Sequence, residues 1–184
     1  MQNTKIHKWN SADTVTSLRI AATFLLLLPR VGSPLFLIIY TAAGITDVLD
    51  GWLARRAGTA DNFGARLDSI ADLLFYGVLL LRLLPILRTF LPAPVWYLAA
   101  ASVAVRISAY VTAAFKYRLF ASLHTWLNKL CGAAVFLLPY VIAVSPSVPY
   151  CWGVCILALA ASAEELAIHL SQREYSPDRK SLFR

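Results

Sequence analysis

The chain has 184 residues, 59% of them apolar and 15% charged, with a mean hydropathy of +0.63. Soluble domains carry about 25% charged residues, so an ordinary water-soluble globule is excluded, and the length excludes a large multidomain enzyme. Seventeen Lys and Arg against ten Asp and Glu give a net charge of +7. On an apolar chain that excess points to an anionic membrane surface and away from nucleic acid, because the basic residues are scattered over several ends and loops and form no single stripe.

Met1 to Asp13 carries Lys5, Ile6, Lys8 and Trp9 ahead of the first apolar run. It is either a short helix lying in the membrane interface or a cytoplasmic tail. Arg19 sits inside the start of the run and no small-residue cleavage site follows before Arg30, so the run reads as a retained span and not as a signal peptide. Val15 to Leu28 and Pro34 to Thr46 are apolar, and Pro29-Arg30-Val31-Gly32-Ser33 between them is a turn. A third apolar segment runs from near Leu67 to Leu84, closed by Pro85. Thr89 to Val105 is uncharged, and apolar character resumes after Arg106 as far as Phe115. Leu130 to Ala163 is 34 residues without a charge, broken only by Ser145-Pro146-Ser147-Val148-Pro149, hence two helices and a tight turn. Six spans are predicted, at 14–31, 34–56, 62–84, 93–117, 126–145 and 148–170. The expected fold is an all-α integral membrane protein of six transmembrane helices, a single domain over 1–184 with a juxtamembrane segment at 1–13 and a cytoplasmic tail at 171–184.

Alternate loops collect thirteen Lys and Arg on one side and three on the other, with Arg106 inside a span. That asymmetry puts both termini, and the basic loops, in the cytoplasm, as expected for a multi-pass protein of the cell membrane. Cys131, Cys151 and Cys155 form no CxxC pair and lie in apolar stretches, as small buried hydrophobes do.

Five of the ten acids, Asp47, Asp50, Asp61, Asp68 and Asp72, fall within 26 residues at the end of the second helix, its cytoplasmic loop and the start of the third. Acids at membrane helices are costly and mark function. Asp47 and Asp50 are three apart and Asp68 and Asp72 four apart, so each pair lies on one helix face. Four converging carboxylates repel one another unless a cation sits between them, and all-oxygen ligation suits Mg²⁺ or Mn²⁺. Two such ions clamp the entering and leaving oxygens of a phosphoryl displacement. Gly51, Ala54 and Gly64 are small enough to let a ligand approach the backbone, and Arg55 offers a planar donor for phosphate. The plainer alternative, helix packing by small residues with salt bridges from Arg55, Arg56 and Arg66, explains any one of these residues but not nine in one ordered spacing.

The run Asp47-Val-Leu-Asp50-Gly51-Trp-Leu-Ala54-Arg55, eight residues, Gly64, three residues, Asp68, three residues, Asp72 resembles the signature of the CDP-alcohol phosphatidyltransferases at all nine defined positions. The resemblance implies transfer of a phosphatidyl group from CDP-diacylglycerol to an acceptor alcohol, with release of CMP. It implies metal ligation by Asp47, Asp50, Asp68 and Asp72, proton abstraction from the acceptor by Asp72, and nucleotide binding by Gly51, Ala54, Arg55 and Gly64. Two Mg²⁺ or Mn²⁺ ions are the implied cofactors, and members of the family are commonly homodimers.

The acceptor is less legible. Members making phosphatidylglycerophosphate often carry Pro and Lys where this chain has Ser69 and Leu73, and serine-transferring members usually carry Ser-Phe-Gly where it has Phe75-Tyr76-Gly77. Arg106, Lys116, Arg118 and Lys129 are candidate acceptor-binding residues, which favours glycerol 3-phosphate, with serine or another alcohol as the alternative. Arg106 has a second reading, a structural pair with Glu164 or Glu165. His124 to Lys129 opens the fifth helix and concentrates polar groups that either line the acceptor pocket or simply mark the helix end. The rival of another class is an intramembrane cation transporter, which would spread its acids along a path and not gather them on two consecutive helices.

Overall fold

In the computed structural model, residues 11–57, 62–117 and 125–172 are described, with side chains for 13–46, 67–117 and 125–172. They form six α-helices: α1 (Ser11–Leu25), α2 (Pro34–Ala57), α3 (Asn62–Phe90), α4 (Ala93–Tyr117), α5 (Trp126–Val144) and α6 (Val148–Ser171). Most of the Met1–Asp13 segment, Arg118, His124 and nearly all of the C-terminal tail lie outside the described residues.

Leu67–Phe90 of α3, together with α4, α5 and α6, is long and apolar enough to cross a bilayer, and α2 contributes the apolar stretch Pro34–Thr46. Large apolar side chains are exposed on them, Leu73 at 75%, Phe115 at 85% and Val144 at 89%, as befits helices whose solvent is lipid. The chain is thus an all-helical integral membrane protein. Two boundaries differ from expectation. The first helix ends at Leu25, six residues before the predicted end of its span. Beyond it the amides of Leu27 and Leu28 reach back only three residues, to Phe24 and Leu25. The chain tightens because Pro29 has no N–H to continue the helix and disfavours helical geometry in the residue before it. The third helix, expected to close at Pro85, continues through that proline to Phe90. Proline removes one amide from the ladder but does not end a long helix in an apolar medium, where breaking the neighbouring backbone bonds costs more.

The chain forms two compact units, residues 1–88 and 89–184. In the first, α1 packs along α2. The turn between them places Gly32 at φ 81°, a left-handed conformation suited to glycine, and the Ser33 hydroxyl accepts the Phe36 amide at 3.2 Å to start α2. The Phe36 and Tyr40 rings of α2 stack, and Tyr40 stacks on Phe75 of α3 with centroids 5.6 Å apart. From α3, Arg82 donates to the carbonyls of Leu27 and Pro29, which the end of α1 leaves without helical partners.

In the second unit α6 packs against both α4 and α5. The buried face of α4 is Val95, Ser102, Ala109 and Ala113, and α6 buries Ala161 and Ser162, small residues that let backbones approach. Thr125 caps α5 and Ser147 caps α6. The Tyr150 hydroxyl of α6 donates to the Ala134 carbonyl of α5 at 2.7 Å, one residue from Val135, whose carbonyl loses its amide partner to Pro139. Arg106 of α4, Asn128 of α5 and Glu165 of α6 form a triangle. Arg106 pairs with Glu165 Oε2, its Nη2 donates to Asn128 Oδ1 at 2.7 Å, and Asn128 Nδ2 donates to Glu165 Oε2 at 2.8 Å.

Glu165 is fully buried, so truncating either member of this pair strands a charge. Glu165→Ala is expected to destabilise the protein by about 3–5 kcal/mol, read as thermal unfolding in detergent. Arg106→Leu combined with Glu165→Leu should lose less than Glu165→Ala alone; an equal or larger loss in the double variant would show that the pair is net stabilising.

Candidate functional site

The acidic motif lies where α2 ends and α3 begins. Asp47, Asp50, Gly51, Ala54 and Arg55 fall in α2 and Gly64, Asp68 and Asp72 in α3, while Asp61 lies outside the described residues. The Tyr40–Phe75 ring contact joins the two helices. Position 47 is seven residues beyond Tyr40, and position 68 is seven residues before Phe75. Seven residues are about two helical turns, so on its own helix each of positions 47 and 68 returns close to the line of the contact residue. Positions 50 and 72 follow within roughly a quarter turn of the same faces.

The side chains of Asp68 and Asp72 are described, and a third helix joins them. Arg19 of α1 is 1% exposed, and its Nη2 donates to Asp68 Oδ1 and, at 3.3 Å, to the Asp68 backbone carbonyl. Nη1 of the same guanidinium lies 3.4 Å from Asp72 Oδ1. One planar fork thus touches two carboxylates a helical turn apart. The two acids are 46% and 45% exposed, whereas the arginine that pairs with them is buried.

Local structure prepares Arg19 for this role. The Thr23 hydroxyl, fully buried, donates to the Arg19 carbonyl at 2.8 Å. Asp13, Thr16, Arg19 and Thr23 are all buried, although the helix that carries them exposes Leu18, Phe24 and Leu25. The helix therefore turns polar groups inward and large apolar groups outward, the reverse of a soluble amphipathic helix. Sequence reading missed Arg19 as a site residue, counting it only as a basic residue near the membrane surface. The available signal was polar side chains recurring at three- and four-residue intervals within an apolar run, the spacing of a helix face.

The candidate acceptor-binding residues are in the second unit. Arg106 takes the structural pairing of its two readings, with Glu165 as partner. Lys116 donates to the carbonyls of His169 and Leu170 at 2.7 and 3.0 Å, near the end of α6, where a cation also answers the helix dipole. Lys129 lies 5.2 Å from the centre of the Trp126 ring. His169, missed by sequence reading, is fully buried, with its Nε2 3.8 Å from Glu165 Oε1. Among the described residues no group of three or more His, Cys, Asp or Glu is arranged to hold a metal.

The match to known proteins runs across this arrangement. The family model for CDP-alcohol phosphatidyltransferase matches residues 9–163, a stretch that includes α1 with Arg19 as well as the acidic motif. A CDP-diacylglycerol–serine O-phosphatidyltransferase of Methanocaldococcus jannaschii is 43% identical over 67 residues, covering 36% of this chain and 31% of that protein. A CDP-diacylglycerol–glycerol-3-phosphate 3-phosphatidyltransferase of Rickettsia bellii is 36% identical over 80 residues, 41% of this chain and 44% of that one. A second glycerol-3-phosphate 3-phosphatidyltransferase, from Arabidopsis thaliana, is 38% identical over 69 residues, 36% of this chain and 30% of its own. The matched stretches thus span less than half the length of each of these relatives. No solved structure matches the chain. With the family model covering most of its helices, the chain belongs to the CDP-alcohol phosphatidyltransferase family.

Proposed function

We propose that the protein transfers a phosphatidyl group from CDP-diacylglycerol to a small alcohol and releases CMP, at a carboxylate site on the cytoplasmic side of the cell membrane. The observation that carries this reading is the pair Asp68 and Asp72, half exposed, one turn apart and already bridged by a cationic group, in a chain of this family. The alternating charge of the loops supports the orientation.

The donor set fits a hard divalent cation: the carboxylate oxygens of Asp68 and Asp72 lie a helical turn apart on one helix, within a motif of four aspartates. Asp47, Asp50, Asp68 and Asp72 would hold two Mg²⁺ or Mn²⁺ ions, whose charge would be set against the oxygens entering and leaving phosphorus. Asp72 accepts the proton of the acceptor hydroxyl, and the freed oxygen forms a bond to the phosphatidyl phosphorus as the bond from phosphorus to the CMP oxygen breaks. Gly51, Ala54 and Gly64 would let the nucleotide approach the helix backbones, and Arg55 would hold the diphosphate with its fork.

The relatives' names include both serine and glycerol 3-phosphate as acceptors. The basic residues that favoured glycerol 3-phosphate carry other duties: Arg106 is committed to Glu165, and Lys116 to backbone carbonyls. To bind a phosphate either one must exchange partners. The acceptor is therefore assigned as a small polar alcohol of the serine or glycerol 3-phosphate type.

Purified protein in detergent, given CDP-diacylglycerol and Mg²⁺ or Mn²⁺, is expected to release CMP with one alcohol of a panel that includes serine, glycerol 3-phosphate and glycerol. Chelation should abolish release. No CMP with any acceptor from folded protein would refute the reaction, and ion flux in liposomes without CMP release would favour a transporter. Asp72→Asn is expected to retain nucleotide binding and lose about 10²–10⁴ in turnover, the usual worth of a general base; a near-normal rate would remove Asp72 from that role. Asp50→Asn should instead weaken metal-dependent nucleotide binding, measured by calorimetry.

A further inference from the structure

We propose that Arg19 is a positioning residue and resident counter-cation of the carboxylate site, tying Asp68 to Asp72 before any divalent ion arrives. The inference rests on the proposed reaction only in treating these two acids as metal ligands.

Three observations carry it. The Arg19 side chain is buried, whereas both carboxylates are about half exposed. A buried guanidinium cannot shed its charge and must keep ionic partners, so its position is set by the fold. The acids, by contrast, have solvent as an alternative and remain only if something holds them. Second, Arg19 reaches both acids through Oδ1 and takes the Asp68 backbone carbonyl as well, which fixes the start of α3 against α1. Third, the Thr23 hydroxyl bound to the Arg19 carbonyl anchors the turn that carries the fork.

Two effects on a divalent ion oppose each other. Holding the carboxylates together lowers the cost of organising the ligands, while a fixed positive charge beside them repels the ion. Charges a few ångström apart near a protein surface interact by more than a decade in a binding constant. Turning a carboxylate on a helix already in place costs less than that, so repulsion wins in binding. The geometric tie matters in turnover, where Asp72 must face the acceptor proton. Arg19 thus weakens ground-state metal affinity and raises rate, a division that loss of folded protein cannot mimic.

The test is direct Mn²⁺ binding to the substrate-free protein in detergent, followed by paramagnetic resonance, alongside CMP release. Arg19→Gln is expected to bind Mn²⁺ about tenfold more tightly than wild type while turning over more slowly. Unchanged or weaker binding by folded Arg19→Gln overturns the proposal. Arg19→Lys keeps the charge and loses the fork, so its Mn²⁺ affinity should stay within about twofold of wild type while turnover falls. Wild-type turnover in Arg19→Lys overturns the tie, and this variant decides the matter where Arg19→Gln does not fold. Wild-type protein that binds Mn²⁺ but releases no CMP refutes the reaction and leaves the Arg19 assignment standing.

Discussion

Placing an arginine at 1% exposure in an apolar chain imposes a condition that the rest of the first unit must meet. The guanidinium stays charged at any accessible pH and is costly to bury unless its donors find anionic partners. Asp68 and Asp72 meet that condition, and in doing so they decide how α1 lies against α3. The aromatic contact between Tyr40 and Phe75 then sets α2 against α3, and Arg82 ties α3 to the end of α1. The positions of the acidic motif follow from these few contacts more than from the apolar surface of the helices, since lipid offers apolar side chains as good a medium as a neighbouring helix does.

The second unit uses the same chemistry with the burial reversed. There the acid, Glu165, is fully buried and its arginine is 24% exposed, whereas around Arg19 the arginine is buried and the acids are open. This difference distinguishes the two carboxylate sites. Glu165 is closed off by Arg106 and Asn128 and approached by His169, so its lone pairs serve the packing of three helices. Asp68 and Asp72 keep nearly half of their side-chain surface exposed. Ion pairing alone would rank the two sites alike; which partner faces outward tells them apart.

Much of this was legible in the sequence, and the gaps have physical causes. The starts of α2, α4, α5 and α6 were read to the residue and the ends of α5 and α6 to within one residue, because uncharged runs and proline or serine punctuation report directly on membrane solvent and helix caps. Pro85 misled, since proline is a strong stop in water and a weak one in an apolar medium. The acidic motif declared itself through spacing within 26 residues. Arg19 did not, because its meaning depends on residues 49 and 53 positions away, and no local pattern reports a long-range partner. Arg106 was readable as far as its two alternatives, and only the packing of α4 on α6 could select Glu165 as its partner.

Helix α1 sorts its side chains by burial. Asp13, Thr16, Arg19 and Thr23 are buried, while Leu18, Phe24 and Leu25 are exposed. Spacings of three, three and four residues keep the four polar groups on one helix face. Lipid accepts the apolar outward face at no cost, so the demand falls on the inward one, where every buried polar group needs a partner within the protein. The Arg19 fork meets that demand with Asp68 and Asp72, and the Thr23 hydroxyl meets it with the Arg19 carbonyl.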